Sequence, residues 1–312
     1  MQFGMVGLGR MGSNMAVRLM SGGHDCVAYD RDPDRVAHVA EQGAVPAKSI
    51  VDLVDKLQPP RVIWLMLPAG DATVNALIQL SDHLGAGDIT VDGGDSHYQD
   101  DILRRERLGD RGIDFVDCGT SGGMWLEERG YFLMLGGCKE TVEHLDPVLR
   151  TLAPGVSSTP VTPGRAGLSR TAEEGYLYCG PHGAGHFVKM VHNGIEYGMM
   201  QSFAEGFDLL DHADTFGYEL PLADIAEVWR RGGVISSWLL DLTAQARRVA
   251  DSGERRWTVE SALEAGVPGP AVTVALYKRF RSEAGRSFAE KMLSAMRLAF
   301  GVHLENLALQ AK

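Results

Sequence analysis

The sequence predicts an α/β domain built on a doubly wound parallel sheet, followed by an all-α domain. Over residues 1 to about 153, short apolar runs alternate with amphipathic stretches, which is typical of a parallel sheet with helices on both faces. A segment rich in Pro, Gly and Ser follows at 154–170. Beyond it the pattern is helical to the end, without strand-like alternation. We expect the domains to occupy residues 1–165 and 166–312, since 312 residues are long for one core.

The predicted strands of the first domain are short apolar runs, and helical patterns separate them. The runs are FGMVGLG, HDCVAYD, VIWLML, DITVDGG and IDFVDCG. VIWLML lies between Pro60 and Pro68 and is apolar throughout, as expected of a strand buried on both faces. After the first strand, MGSNMAVRLMSGG predicts a helix that ends at Gly22 or Gly23. Residues 154 to about 183 lack periodicity and predict a loop or boundary.

Composition excludes several classes of protein. No run of about 18 apolar residues is present, so we expect no membrane span, and the N-terminus has no signal-peptide pattern. The net charge of −11 disfavours a nucleic-acid partner but is compatible with an anionic small substrate. Four widely spaced cysteines argue against a zinc site or a disulfide framework. We therefore expect a cytoplasmic protein with no metal site.

A glycine-rich turn opens the first domain. Gly7, Gly9 and Gly12 follow the G-x-G-x-x-G pattern, directly after a predicted strand and at the start of a predicted helix. In this context the pattern predicts a Rossmann-type dinucleotide site, because the glycines permit close backbone approach to a pyrophosphate and the helix N-terminus favours an anion. A glycine turn without a ligand is the alternative.

The end of the second predicted strand bears on the choice of cofactor. A carboxylate at Asp30 is placed to accept hydrogen bonds from the adenosine ribose and would repel a 2′-phosphate, which favours NAD over NADP. Arg31 offers a cation for such a phosphate, so NADP remains the alternative. Asp30 as an ordinary turn residue is a further alternative. The remaining predicted cofactor contacts are Arg10, Met11, Leu67 and Asp95.

The segment HFVKMVHNGIEYG carries a polar stripe on a helix. Lys189, His192, Asn193, Glu196 and Tyr197 follow the spacing i, i+3, i+4, i+7, i+8 and share one face, while apolar residues occupy the others. A partly desolvated lysine has a lowered pKa and is suited to act as a base, and a glutamate two turns away offers a separate acid. A structural stripe with an ordinary His–Glu pair at i, i+4 is the alternative.

Three motifs, GLGRMG, GTSGGMWLEERGYFLMLGG and GAGHFVKMVHNGIEYGMMQ, resemble 6-phosphogluconate dehydrogenase, within the larger group of beta-hydroxyacid dehydrogenases. The likeness covers nearly the full chain, and its length resembles the short form of this enzyme. The resemblance implies oxidative decarboxylation of 6-phosphogluconate to ribulose 5-phosphate and CO2. It assigns Lys189 as the base at the C3 hydroxyl and Glu196 as the acid that protonates C1 of the enediol.

The resemblance also implies residues that bind a phosphorylated sugar acid, and a shared active site in a homo-oligomer, either a dimer or a tetramer. Arg297 and His303 match positions that reach the site of a neighbouring subunit. The implied substrate residues are Asp95, Ser121, Gly122, Gly123, His192, Asn193, Tyr197, Arg256, Arg279, Arg297 and His303.

One position departs from the family pattern. The family has Asn in a GGNS loop, where this sequence has GGDS with Asp95. A carboxylate beside an anionic substrate weakens binding unless it is protonated or turned to a cation. Asp95 motivates a second hypothesis, a related dehydrogenase acting on a small unphosphorylated 3-hydroxy acid. A third hypothesis is a catalytically silent dinucleotide-binding sensor.

Overall fold

The computed structural model describes residues 1–121, 129–156, 159–160, 162–165, 168–245, 292 and 296. The chain forms two compact units, 1–189 and 190–312, which are described separately. The domain boundary expected after residue 165 stays a prediction.

The first unit contains one eight-stranded sheet with the strand order β3-β2-β1-β4-β5-β6-β7-β8. The strands are β1 (Gln2–Val6), β2 (Asp25–Tyr29), β3 (Val45–Pro46), β4 (Val62–Leu65), β5 (Ile89–Asp92), β6 (Asp114–Ser121), β7 (Phe132–Gly137) and β8 (Tyr176–Gly180). Neighbouring strands are parallel except β6 and β7, which are antiparallel. The predicted doubly wound α/β class is confirmed, with one antiparallel pair added.

The helices of this unit connect the strands. They are α1 (Arg10–Ser21), α2 (Pro33–Ala40), α3 (Ile50–Lys56), α4 (Asp71–His83), α5 (Tyr98–Gly109), α6 (Lys139–His144), α7 (Asp146–Leu152) and α8 (Arg170–Glu174). Gly22 follows α1, and its N–H donates to the carbonyls of Arg18 and Leu19 at 3.1 Å. The predicted end of this helix at Gly22 is therefore confirmed.

Both faces of the central strands are buried. Met5 and Trp64 belong to the apolar cluster on one face of the sheet. Val6, Ile63 and Leu65 belong to the cluster on the other face. Successive side chains of a strand point to opposite faces, so an unbroken apolar run is what a strand covered on both sides requires.

One segment expected to be a loop contains regular structure. Within 154–183, α8 is followed by β8, which pairs in parallel with β7. β8 lies at the edge of the sheet, and Leu177 in its middle is exposed. The loop expectation was wrong at β8 because a half-exposed edge strand lacks the apolar run that marks the central strands.

The described part of the second unit is helical. It contains most of α9 (Ala184–Asp211), together with α10 (Leu222–Arg230) and α11 (Trp238–Gln245). Its core includes Met200, Phe203, Phe207 and Leu240. Within the described ranges, no helix combines the length and apolar character needed to cross a membrane.

Candidate active site

The glycine-rich loop follows β1 and is tightly closed. Gly7 has φ of +94°, a conformation that favours glycine, and its N–H donates to the carbonyl of Tyr29 at 2.9 Å. A side chain at Gly7 would overlap the backbone carbonyl of Met66, and one at Gly12 would overlap the carbonyl of Gly7. The loop therefore leaves no room for a side chain at Gly7 or Gly12 and presents its backbone at the start of α1, as a pyrophosphate site requires.

Asp30 lies immediately after β2, beside this loop. Its Oδ2 accepts a hydrogen bond of 2.6 Å from the backbone N–H of Leu8, and its Oδ1 accepts one of 2.9 Å from Asp32 N–H. The carboxylate is thus fixed at the carboxyl edge of the sheet, where α/β sheets bind nucleotides. The donor set and the closed loop fit a dinucleotide.

The structure places near Asp30 a cation that the sequence analysis did not name. Arg31 is exposed, whereas Nη1 of Arg35 lies 4.0 Å from Oδ2 of Asp30. A Cβ at Gly9 would lie 3.9 Å from the same Nη1. Arg35 lies in the first turn of α2. The start of this helix brings the Arg35 side chain back over the end of β2, where Asp30 lies.

The other predicted cofactor contacts lie at the edges of this region. Arg10 is the exposed first residue of α1, and Met11 is half-buried against the core. Leu67 follows β4 and packs half-buried against the second apolar cluster. A Cβ at Gly7 would lie 2.9 Å from the Leu67 side chain, so this residue closes the loop from the neighbouring strand.

Lys189 and Asp95 form an ion pair. The side chain of Lys189 is 9% exposed, and its Nζ contacts Oδ1 of Asp95, whose side chain is 51% exposed. Asp95 belongs to the loop after β5, and Lys189 lies in the second turn of α9. The structure thus resolves the conflict raised by this acidic residue, because the carboxylate is turned towards a cation.

The start of α9 is fixed to β6 by a buried carboxylate. Asp117 accepts hydrogen bonds from the backbone N–H groups of Gly183 at 2.7 Å and His186 at 3.0 Å. A Cβ at Gly119 would overlap that of Lys189 and lie 2.8 Å from the carbonyl of Gly185. β6 and α9 are therefore in close contact at the base of the Lys189 side chain.

A second buried carboxylate, Asp92, fixes the loop that carries Asp95. Its Oδ1 accepts from Gly94 N–H at 3.0 Å, and its Oδ2 accepts from Ser96 Oγ at 2.6 Å. Nη1 of Arg104 in α5 also donates to Oδ2 at 2.9 Å. These contacts hold both sides of the loop, so Asp95 is presented from a rigid base.

The same guanidinium joins this loop to α9 through a buried acid–imidazole pair. Arg104 donates to Oδ1 of Asp101 at 2.9 Å, and Oδ2 of Asp101 lies 2.6 Å from Nδ1 of His186. Burial lowers the pKa of the His186 imidazole, but the hydrogen bond to Asp101 and the surrounding carboxylates outweigh it and raise the pKa to about 9. We interpret the pair as imidazolium and carboxylate.

Three of these groups resemble a set of metal ligands. Ligand atoms of Asp92, Asp101 and His186 lie within 4.8 Å of one another. Arg104, however, already places a positive charge 2.9 Å from each carboxylate. A metal ion would have to displace that guanidinium, so the cluster is better explained as an internal ion network.

The remaining polar residues of α9 lie in the second unit. Asn193 and Tyr197 are buried, and Nδ1 of His192 lies 3.3 Å from Oδ1 of Asn193. His192 also lies 3.8 Å from Oε2 of Glu196, which is the i, i+4 pair that the sequence left open as a structural alternative. The side chains of His192 and Glu196 are 41% and 19% exposed, so the imidazole is the more accessible partner.

The structure describes only part of the implied substrate set. Ser121 ends β6, opposite Phe132, and is half-buried. Six implied residues lie outside the part of the chain that the structure describes: Gly122, Gly123, Arg256, Arg279, Arg297 and His303.

The sequence analysis missed the buried ion network. Asp92 ends β5 in DITVDGG, and Asp117 lies inside β6 in IDFVDCG. A carboxylate in an otherwise apolar strand was the signal that could have found them, because a buried charge needs a partner. Arg104, Asp101 and His186 gave no local signal, because α5 and α9 carry their charges at spacings that also suit a surface.

Two family models match the chain. The model described as the NAD binding domain of 6-phosphogluconate dehydrogenase matches residues 2–161. The model described as the 6-phosphogluconate dehydrogenase C-terminal domain matches residues 185–305.

Similar whole proteins point the same way. The NAD(+)-dependent, decarboxylating 6-phosphogluconate dehydrogenase of Haloferax volcanii is 40% identical, over 97% of this chain and 98% of the relative. The NADP(+)-dependent, decarboxylating enzyme of Bacillus subtilis is 33% identical, over 90% of this chain but only 61% of its own length. The solved structure of Plasmodium falciparum 6-phosphogluconate dehydrogenase has a TM-score of 0.76 and 26% identity, covering 91% of this chain and 64% of that one.

Proposed function

We propose, because the chain belongs to the 6-phosphogluconate dehydrogenase family, that it oxidises and decarboxylates 6-phosphogluconate to ribulose 5-phosphate and CO2. The observation that carries the proposal is the buried amine of Lys189, held at the carboxyl edge of a sheet whose first strand leads into a dinucleotide loop. A lysine withdrawn from water is a suitable base for a sugar hydroxyl.

The cofactor in this proposal is NAD, with NADP as the weaker alternative. The backbone of the loop Gly7–Gly12 would hold the pyrophosphate, and Asp30 would accept from the ribose hydroxyls. Bound there, the nicotinamide supplies the hydride acceptor. Arg35, 4.0 Å from Asp30, is the described cation best placed to reduce discrimination against NADP.

Lys189 acts three times on the same oxygen. Once it has given up the proton that pairs it with Asp95, the neutral amine takes the proton of the C3 hydroxyl while C3 is oxidised to a ketone. The ketone accepts the electron pair of the C1–C2 bond, CO2 leaves, and Nζ returns the proton to the C3 oxygen. Nζ removes that proton again when the enediol becomes the product ketone. These assignments follow from the chemistry of a 3-keto acid and from the burial of the amine.

Glu196 is the proposed acid for the last step. It gives its proton to the carbon that lost CO2, which becomes C1 of ribulose 5-phosphate. Asp95, Ser121, His192, Asn193 and Tyr197 are the proposed described substrate contacts. The other proposed substrate contacts include the cations for the phosphate. They are Gly122, Gly123, Arg256, Arg279, Arg297 and His303.

We also propose that the active site is shared between subunits, which requires a homo-oligomer. The proposed location of the protein is the cytoplasm. The support for a shared site is the likeness of RLAFGVH, with Arg297 and His303, to the family's tail. Light scattering coupled to size exclusion would give the number of subunits. Mixing two inactive variants, Lys189→Met and Arg297→Ala, tests sharing, because only a shared site regains activity in mixed oligomers.

A steady-state assay with 6-phosphogluconate tests the function directly. NADH or NADPH formation, released CO2 and ribulose 5-phosphate are measured together, with each cofactor in turn. Equal amounts of reduced cofactor, CO2 and pentose phosphate are expected. Absence of turnover with both cofactors contradicts the proposal.

The same assay separates the two other hypotheses. Turnover of small 3-hydroxy acids without CO2, and without competition from 6-phosphogluconate, would identify a dehydrogenase of unphosphorylated substrates. Tight binding of NADH with no turnover on any hydroxy acid would identify a silent sensor.

A further inference from the structure

The proposed reaction leaves two residues in the wrong protonation state. In the ion pair with Asp95, Lys189 is an ammonium. The reaction uses it as a neutral amine and leaves it as an ammonium again, because it takes up the enediol hydroxyl proton. Glu196 begins protonated and ends as a carboxylate, because it protonates carbon. The overall change converts a carboxylate and an oxidised cofactor to a ketose, CO2 and a reduced cofactor, and it exchanges no net proton with water. One proton must therefore leave Lys189 in each turnover, and one must reach Glu196.

Burial makes the departure from Lys189 a physical problem. Its side chain is 9% exposed, and Gly119 of β6 packs against its base. A group in such a position has little direct access to water or to buffer. The ammonium needs an acceptor that touches it and also reaches the solvent.

Asp95 meets both conditions. Its Oδ1 contacts Nζ of Lys189, and half of its side chain, 51%, is exposed. The loop that carries it is held by Asp92 through Gly94 and Ser96. The carboxylate is therefore a fixed bridge between the buried amine and the solvent.

We infer that Asp95 carries the proton from Lys189 to the solvent at the end of each turnover, an inference that rests on the proposed function. An N–H bond of the Lys189 ammonium breaks and an O–H bond forms on Asp95. The carboxylic acid then loses its proton to water or to a buffer base, and both residues return to their starting states. No oxidant or further reactant is needed.

Rapid mixing of the Asp95→Asn variant with 6-phosphogluconate and NAD in weak buffer tests this inference. Asparagine has the same shape and is not a proton acceptor of useful strength. We expect a first turnover of NADH formation that is faster than the following steady rate by about tenfold or more, an excess that the unmodified protein does not show. Added imidazole, a small proton acceptor, should restore the steady rate in proportion to its concentration.

Two further variants sharpen the test. Asp95→Glu keeps a carboxylate and should keep most of the steady rate without imidazole. Asp82→Asn removes another exposed carboxylate, paired at 3.0 Å with Arg111, and should respond to neither change. A steady rate equal to the first turnover in Asp95→Asn, or no response of that steady rate to imidazole, would each overturn the inference. Lack of any turnover in the unmodified protein would instead contradict the proposed function.

Discussion

The carboxylate of Asp30 accepts a 2.6 Å hydrogen bond from the backbone N–H of Leu8, which ties the end of β2 to the glycine-rich loop after β1. The pair couples two jobs of a nucleotide site. In the proposed function the loop would approach the pyrophosphate, and the carboxylate would face the ribose. One hydrogen bond joins the loop and the carboxylate. The Asp30 side chain therefore cannot rotate away from a 2′-phosphate without breaking a contact that holds the loop.

We predict that the unmodified protein prefers NAD, and that Asp30→Asn weakens this preference. Asparagine still offers an oxygen to Leu8 N–H but removes the charge that repels a 2′-phosphate. The ratio of kcat/KM for NAD to that for NADP should fall by about tenfold, or roughly 1.4 kcal/mol. Asp34→Asn, an exposed neighbour in α2, should leave the ratio unchanged. An equal loss of kcat/KM with both cofactors would show that Asp30 acts only on the loop.

Lys189→Met should abolish most of the activity. Methionine fills a similar volume but has no group to take the C3 hydroxyl proton, and general-base catalysis contributes about 10²–10⁴-fold. Stopped-flow NADH formation should show no first turnover, while NADH binding followed by fluorescence stays intact. Lys139→Met removes an exposed lysine paired with Glu143 at 3.7 Å and should change neither. A fully active Lys189→Met variant would contradict the mechanism.

His186 should make the protein less stable as the pH rises. Its folded-state pKa, about 9, lies above the ordinary 6.5, so the folded state binds the proton more tightly than the unfolded state. This contribution is complete below pH 6.5 and is lost as pH rises through 9, and it is on the order of 3 kcal/mol. Urea unfolding across this window measures it.

The matched variants for this prediction are His186→Asn and His144→Asn. Asparagine at 186 keeps a donor for Asp101 but does not titrate, so the unfolding midpoint should lose its dependence on pH between 6.5 and 9. His144 is exposed, and its variant should keep the slope of the unmodified protein. Parallel slopes in all three proteins would show that the buried pair does not titrate in this range.

Gly119→Ala should impair both folding and catalysis. The new methyl group would overlap Cβ of Lys189 and lie 2.8 Å from the carbonyl of Gly185, so the strand or the helix must move. Overpacking of this kind costs about 1–3 kcal/mol. We expect a lower melting temperature and a lower kcat, because the displaced amine no longer meets the substrate correctly.

Gly109→Ala provides the control for Gly119→Ala. Gly109 ends α5, and a Cβ there has no heavy atom within 4 Å among the described residues. This variant should be as stable as the unmodified protein or slightly more stable, since alanine has the higher helix propensity. Equal behaviour of the two variants would mean that the contact of β6 with α9 is loose.

Local patterns made much of the fold predictable. The parallel strands, the glycine-rich turn and the end of α1 at Gly22 each depend on residues close in sequence, where periodicity and backbone preference act directly. β8 was missed because an edge strand has no such periodic signal. Arg35 was missed because its position near Asp30 depends on how α2 turns back over the end of β2, and the role of Arg31 stays a prediction.

The sequence by itself determined the α/β class, the dinucleotide loop and the presence of a base and an acid on one helix, since turn chemistry and helical spacing are local properties. Only the tertiary structure decided the partner of Asp95. That pairing requires the loop after β5 and the start of α9 to meet, and it depends on contacts such as Asp101 with His186, 85 residues apart. The order of strands in the sheet brings these segments together, and no pattern within either segment encodes that order.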